Sequence, residues 1–217
     1  MQKSIFLNIF LKIKIYDKRK TEAQIGSALN ETFSPISLKG SRDMSLYEFE
    51  GKRPKIGETS FVHPAAVLIG GVTIGENCYI GPGAVLRGDF GNIVVGDGSN
   101  IQETCVVHTY TDHTATFGRN NHIGHGAKIH GVTLGFNVLV GMNAVLHEGV
   151  EIGDHSIIGS GCVVPADRVI PPGKLVLGIP AKVVGDVSEE QRKRKVFGTG
   201  LYQTLPKRYK ETFKLIG

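Results

Sequence analysis

An apolar residue recurs every six positions along most of this chain, at Ile56, Val62, Leu68, Ile74, Ile80 and Leu86, then at Val95, Ile101 and Val107, at Phe117, Ile123 and Ile129, and from Leu134 through Val140, Leu146, Ile152 and Ile158 to Val164. Four residues after many of these sits a second, small residue, such as Ser60, Ala66, Cys78, Ala84, Ser99, Ala127, Ala144 or Ser156. A helix needs apolar residues every three or four positions, and a hairpin strand alternates with period two. Neither fits six. A chain that turns a corner every six residues does: the apolar residue points into a narrow prism, the small one tucks beside the bend, and three short strands make one triangular coil.

The register breaks between Leu86 and Val95, between Val107 and Phe117, and between Ile129 and Leu134, each time between complete triplets. The expectation is an all-β parallel β-helix of about six coils over residues 56 to about 169, with two loops extruded at corners and a C-terminal α-helical segment. Cys78, Cys105 and Cys162 fall at the small inward position and read as packing residues. Pro171-Pro172-Gly173 and Gly178-Ile179-Pro180 read as turns after the last coil. Ser188 with Gln191 three residues on forms a capping box, so a helix is expected to start there. Gly198 and Gly200 are expected to interrupt it, with a second helical stretch from Tyr202 towards Lys214. The domain division is residues 1–43 as a poorly ordered extension, 44–185 as the β-helix and 186–217 as the helical segment.

The formal net charge of +5 raises the question of nucleic acid. Residues 1–43 hold 8 Lys/Arg against 4 Asp/Glu and residues 186–217 hold 8 against 4, which leaves residues 44–185 with 9 basic and 12 acidic residues. The folded body is therefore net acidic and the basic excess lies in the tails, a pattern that argues against nucleic-acid binding. The apolar run Ile5 to Leu11 is too short to span a bilayer and is followed by Lys12 and Lys14, so no membrane association is expected and the cytoplasm is the default compartment.

Aligning the coils places Ile69, Arg87, His108, His130, His147 and Pro165 in one outer column, each following the apolar residue of a third strand. Neighbouring strands lie about 4.7–4.9 Å apart, and ligand nitrogens on a tetrahedral zinc ion sit about 3.4 Å apart for bonds of about 2.0–2.1 Å. His108 and His130, one rung apart, can share an ion; His147, which needs two rungs, is a poor third ligand. His125 lies in the preceding strand, on a different face of the prism, and reaches the pair only from a second copy in a threefold arrangement. The other reading of these residues is three ordinary solvated histidines, and the spacing leaves both open.

The stretches Arg87-Gly88-Asp89, Ser99-Asn100-Ile101-Gln102, His108, Gly124-His125-Gly126 and Ile129-His130-Gly131 resemble the signature of the γ-class carbonic anhydrases. The resemblance covers about residues 50 to 210. It implies a left-handed β-helix, although general crossover preferences favour the opposite hand, and a homotrimer with a zinc ion, or iron or cobalt, at each interface. Carried over, His108 and His130 are ligands from one subunit and His125 from the next. Arg87 and Asp89 correspond to an interface ion pair, Gln102 to the glutamine beside the metal-bound water, and Tyr202 to a site tyrosine. Three features depart from the pattern: Glu103 stands where an aspartate is usual, Phe90 follows Asp89 where an acid is usual, and the long acidic loop with its proton-shuttling glutamate is missing. His113, in the loop after His108, is the local candidate for that shuttle, since an unperturbed imidazole titrates near pH 6.5. Ser60-Phe61-Val62-His63-Pro64 and Val140-Gly141-Met142-Asn143-Ala144-Val145 are similar to a branch of the family, that of the phenylacetic acid degradation protein, associated with thioester hydrolysis of coenzyme A conjugates.

Three functions follow as expectations: reversible hydration of carbon dioxide to bicarbonate by a zinc-activated water, hydrolysis of an acyl-coenzyme A, and a trimeric scaffold whose metal is structural. Hexapeptide acyltransferases share the repeat, but a single catalytic base does not account for three converging histidines.

Overall fold

A computed structural model describes residues 45–216; the expected N-terminal extension, residues 1–43, lies outside the described residues. Short parallel strands wind into a three-faced prism, a left-handed parallel β-helix of hexapeptide repeats. The second face stacks Phe61–Val62, Tyr79–Ile80, Asn100–Ile101, His122–Ile123, Leu139–Val140, Ile157–Ile158 and Lys174–Gly178. The third face carries Val106–His108, Lys128–His130, Val145–Leu146 and Val163–Val164, together with the opening residues of Val67–Ile74 and Val85–Val95. The closing residues of those two long strands turn the corner onto the first face, where Thr114–Phe117, Thr133–Leu134, Glu151–Ile152 and Val169–Ile170 follow.

The six-residue pattern accounts for this architecture. Its apolar positions from Val62 to Val164 are buried, and so are Ala66, Cys78, Ala84, Cys105, Ala127, Ala144 and Cys162 beside the bends. Burying each large aliphatic contributes about 1.5–3 kcal/mol, and stacking coils makes that burial continuous. Many corners are turned by residues in the left-handed region, among them Asn77, Asn120, Asn137 and Asn143 at φ between 53° and 59°. Asparagine tolerates this conformation better than other residues with a Cβ.

The structure corrects the sequence reading in three places. The prism does not stop near residue 169: Ile170 and Val176 continue the register into a seventh coil, with Pro171-Pro172-Gly173 as a corner inside it, and the strand Lys174–Gly178 then pairs antiparallel with Ala181–Asp186. The extra residues after Leu86 do not form a loop either. They extend Val85–Val95 continuously round the corner, against a register shift between Gly70 and Val72 of its neighbour. Glycine allows this, because a Cβ on Gly70 would fall 2.5 Å from the Gly88 carbonyl oxygen. The segment between His108 and Thr114 is extruded as a loop.

The third correction is the helix. The capping box at Ser188 and Gln191 is present, but one helix, α1 (Glu189–Thr212), runs unbroken through Gly198, Gly200 and Pro206 and packs on the second face. Among the described residues, no helix is long and apolar enough to cross a membrane.

Candidate functional site

The coil register puts His130 directly beside His108, and His108 beside Arg87, on the third face. His108 Nδ1 and His130 Nε2 lie 3.2 Å apart. On the far side of its ring, His108 Nε2 is 2.9 Å from Asp89 Oδ1, and Arg87 Nη1 donates to Asp89 Oδ2 at 2.6 Å. Burial opposes ionisation of Asp89, but hydrogen bonds from Arg87, His108 and the Phe90 amide outweigh it and hold the carboxyl down at about 2. An ionised Asp89 accepts the proton on His108 Nε2, which leaves Nδ1 with its lone pair towards His130.

Burial first, and His108 next, lower the pKa of His130. Its Nδ1 is buried without a hydrogen-bond partner, 3.7 Å from Glu148, too far for a hydrogen bond. The two imidazoles thus present nitrogens at a separation close to the ~3.4 Å that tetrahedral zinc ligands require. His147 is exposed one rung further along.

His125 stands on the second face at a corner, and its Nδ1 meets Glu103 Oε2 at 2.5 Å. With Gln102, His122, Leu139, Val140, Met142 and Tyr202 it lines a cleft of about 270 Å³. Gln102 is almost fully buried, and its Nε2 lies 2.9 Å from Asn100 Oδ1 and 2.7 Å from His122 Nε2. Tyr202 comes from α1 and meets the His122 ring edge-on at 5.2 Å. Burial pushes the Tyr202 hydroxyl up, with Glu103 adding to the effect, and burial holds His122 neutral, with a pKa lowered to about 4.

Of the residues singled out from the sequence, the structure brings His108 and His130 together with Asp89 and Arg87 on one face, and His125 together with Gln102 and Tyr202 on another. Among the described residues of a single protomer, no three His, Cys, Asp or Glu side chains converge as a metal site. His113 sits over the third face, stacked on Tyr110 at 4.3 Å with its Nε2 buried and without a partner. Gly131 makes room for that loop, since a Cβ there would fall 2.4 Å from Tyr110 Cε1.

Sequence reasoning missed His122, the contact of Asn100 with Gln102 and the contact of Asp89 with His108. His122 carried a signal: it lies three residues before His125 in a strand whose outward column also holds Tyr79 and Asn100.

The family model described as "Bacterial transferase hexapeptide (six repeats)" matches residues 53–88 and 131–166. The chain is similar to the carnitine operon protein CaiE of Escherichia coli K12, 46% identical over 162 residues that cover 75% of this chain and 83% of the relative. CaiE of Proteus sp. strain LE138 is 44% identical over 168 residues, 77% and 85% of the two chains. Among solved structures, a Bacillus cereus protein described as an acetyltransferase superimposes with a TM-score of 0.76 at 30% identity, covering 79% of this chain and 99% of that one. A hexapeptide transferase family protein from Anaplasma phagocytophilum gives 0.74 at 33% identity, covering 78% and 99%.

Proposed function

This chain belongs to the bacterial hexapeptide-repeat transferase family, and on that premise we propose that it is a metal-dependent homotrimeric enzyme whose site is shared between subunits and which reversibly hydrates carbon dioxide. The observation that carries the reading is the 3.2 Å separation of His108 Nδ1 and His130 Nε2, with Asp89 fixing the first ring from behind. His125, held from behind by Glu103 on the next face, completes the donor set when it comes from the partner subunit. Three neutral imidazoles suit zinc, with iron or cobalt as the other metals this ligand set accepts. When bound in that donor set, zinc lowers the pKa of water and polarises a carbonyl oxygen.

The chain's own residues do the rest. Asp89 and Glu103 orient the two rings they hold. Gln102, its amide nitrogen committed to Asn100 and His122, keeps its Oε1 free to accept a hydrogen bond from an attacking water. Tyr202 closes the apolar side of the cleft, with Leu139, Val140 and Met142, and limits water there. For proton export, the imidazole at hand is His113, in the loop beside the third-face histidines, stacked on Tyr110.

A second reading is hydrolysis of an acyl-coenzyme A thioester. The cleft favours it: about 270 Å³ with an apolar wall is more room than carbon dioxide needs and suits an acyl chain.

The test is one preparation of the purified protein assayed for metal content, bicarbonate formation, thioester cleavage and acetyl transfer. Metal with bicarbonate formation, both lost in His108→Ala, supports hydration. Metal-dependent thioester cleavage without hydration selects the second reading. Acetyl transfer that persists after the metal is stripped overturns both, and metal without any turnover leaves a scaffold.

A further inference from the structure

Glu103 uses both carboxylate oxygens. Oε2 meets His125 Nδ1 at 2.5 Å, and Oε1 accepts the Tyr79 hydroxyl at 3.0 Å. Tyr79 is 2% exposed, and a buried phenol needs a partner for its hydroxyl. Glu103 provides that partner, so the carboxylate is gripped from inside the protein before it reaches His125. The Tyr79 ring is pressed into place by α1: it lies 5.6 Å from both Tyr202 and Tyr209, and Tyr209 stacks on Phe61 at 4.7 Å. Burial, with Tyr209 and Glu103 adding, keeps the Tyr79 hydroxyl protonated far above neutral pH, so its proton is available to donate to Glu103.

An imidazole in water favours the tautomer with its proton on Nε2. A carboxylate fixed at Nδ1 reverses that preference, because only Nδ1–H can donate to it, and the reversal frees the Nε2 lone pair. An aspartate at this position is one methylene shorter. The longer Glu103 bridges Tyr79 and His125 at once.

We infer that Tyr79 and Glu103 form a positioning relay that holds His125 in the Nδ1–H tautomer and so couples the seating of α1 on the second face to the metal affinity of the intersubunit site. The consequence for metal rests on the function proposed above; the tautomer does not.

The experiment uses ¹⁵N-histidine-labelled full-length protein, stripped of metal, and reads ring tautomers from long-range ¹H–¹⁵N correlations, with His125 assigned by its loss in His125→Ala. The same proteins are titrated with zinc against a chromophoric chelator. Melting temperature and oligomeric mass report on folding for Glu103→Gln and Tyr79→Phe, both close to isosteric.

His125 is expected as Nδ1–H in the wild type and shifted towards Nε2–H in both variants. Zinc affinity is expected to fall about 10–100-fold in Glu103→Gln, the usual effect of losing a carboxylate behind a ligating histidine, and less in Tyr79→Phe. An Nε2–H wild type, unchanged tautomers in both variants, or unchanged zinc affinity in both overturns the relay. A wild type that takes up no zinc overturns the proposed function instead, and the tautomers alone then decide the relay.

Discussion

Asp89 lies at the centre of the third-face cluster, taking a hydrogen bond from Arg87 on one oxygen and His108 on the other. Under the proposed function that arrangement suits a metal ligand, one ring nitrogen being held while the other faces a second imidazole. His108→Ala and His130→Ala are therefore each expected to abolish stoichiometric metal in the purified protein, and His147→Ala to leave it intact, as measured by elemental analysis. Equal loss in all three would contradict the geometry. The His108–His130 pairing was legible in the sequence because the six-residue register fixes which residues share a rung. The Asp89–His108 contact was not legible, because it depends on how Val85–Val95 bends round its corner, and no repeat position encodes that bend.

Helix α1 illustrates the limit of local propensity. Two glycines cost about 1 kcal/mol each and an interior proline about 3 kcal/mol relative to alanine, yet the helix continues. Its inward stripe is Lys195, Thr199, Tyr202 and Pro206, at helical spacing, and Gln203 donates to the Gly98 carbonyl at 2.9 Å and to Asn120 Oδ1 at 3.0 Å. Tertiary contacts outweigh propensity here. The stripe escapes an apolar-periodicity search because its members are polar, aromatic or proline.

Lys195 also gives α1 a pH signature. It is buried, donates to the Asn120 carbonyl and to Asn137, and burial lowers its pKa to about 7 from 10.5. Between those values the unfolded chain binds the proton and the folded chain does not, so stability rises with pH from 7 upward and the penalty is largest below pH 7. Cys78 and Cys105, pushed up to about 11 from 9.0, oppose this only above pH 9. Chemical denaturation between pH 7 and 9 should therefore show a gain on the order of 2 kcal/mol in the wild type, and a flat profile in Lys195→Met. A wild-type slope of zero, or an unchanged slope in the variant, would contradict the burial of a strained amine.

Across the protein as a whole, the prism was readable because each coil repeats the same inward residues, and the seventh coil was overlooked only because Pro171, Pro172 and Gly173 look like an exit from the repeat when they form one of its corners. A rigid prism cannot bring its second and third faces together. His125 therefore stays apart from His108 and His130 in one protomer, and the proposed centre exists only in an assembly. Native mass spectrometry of the zinc-loaded protein addresses this directly by reading metal and subunit number in the same ion. The expected species is a trimer carrying three zinc ions, with His125→Ala losing all three while its β-helix stays folded by circular dichroism. A folded monomer that holds zinc, or a His125→Ala trimer that still holds three, would contradict a site shared between subunits.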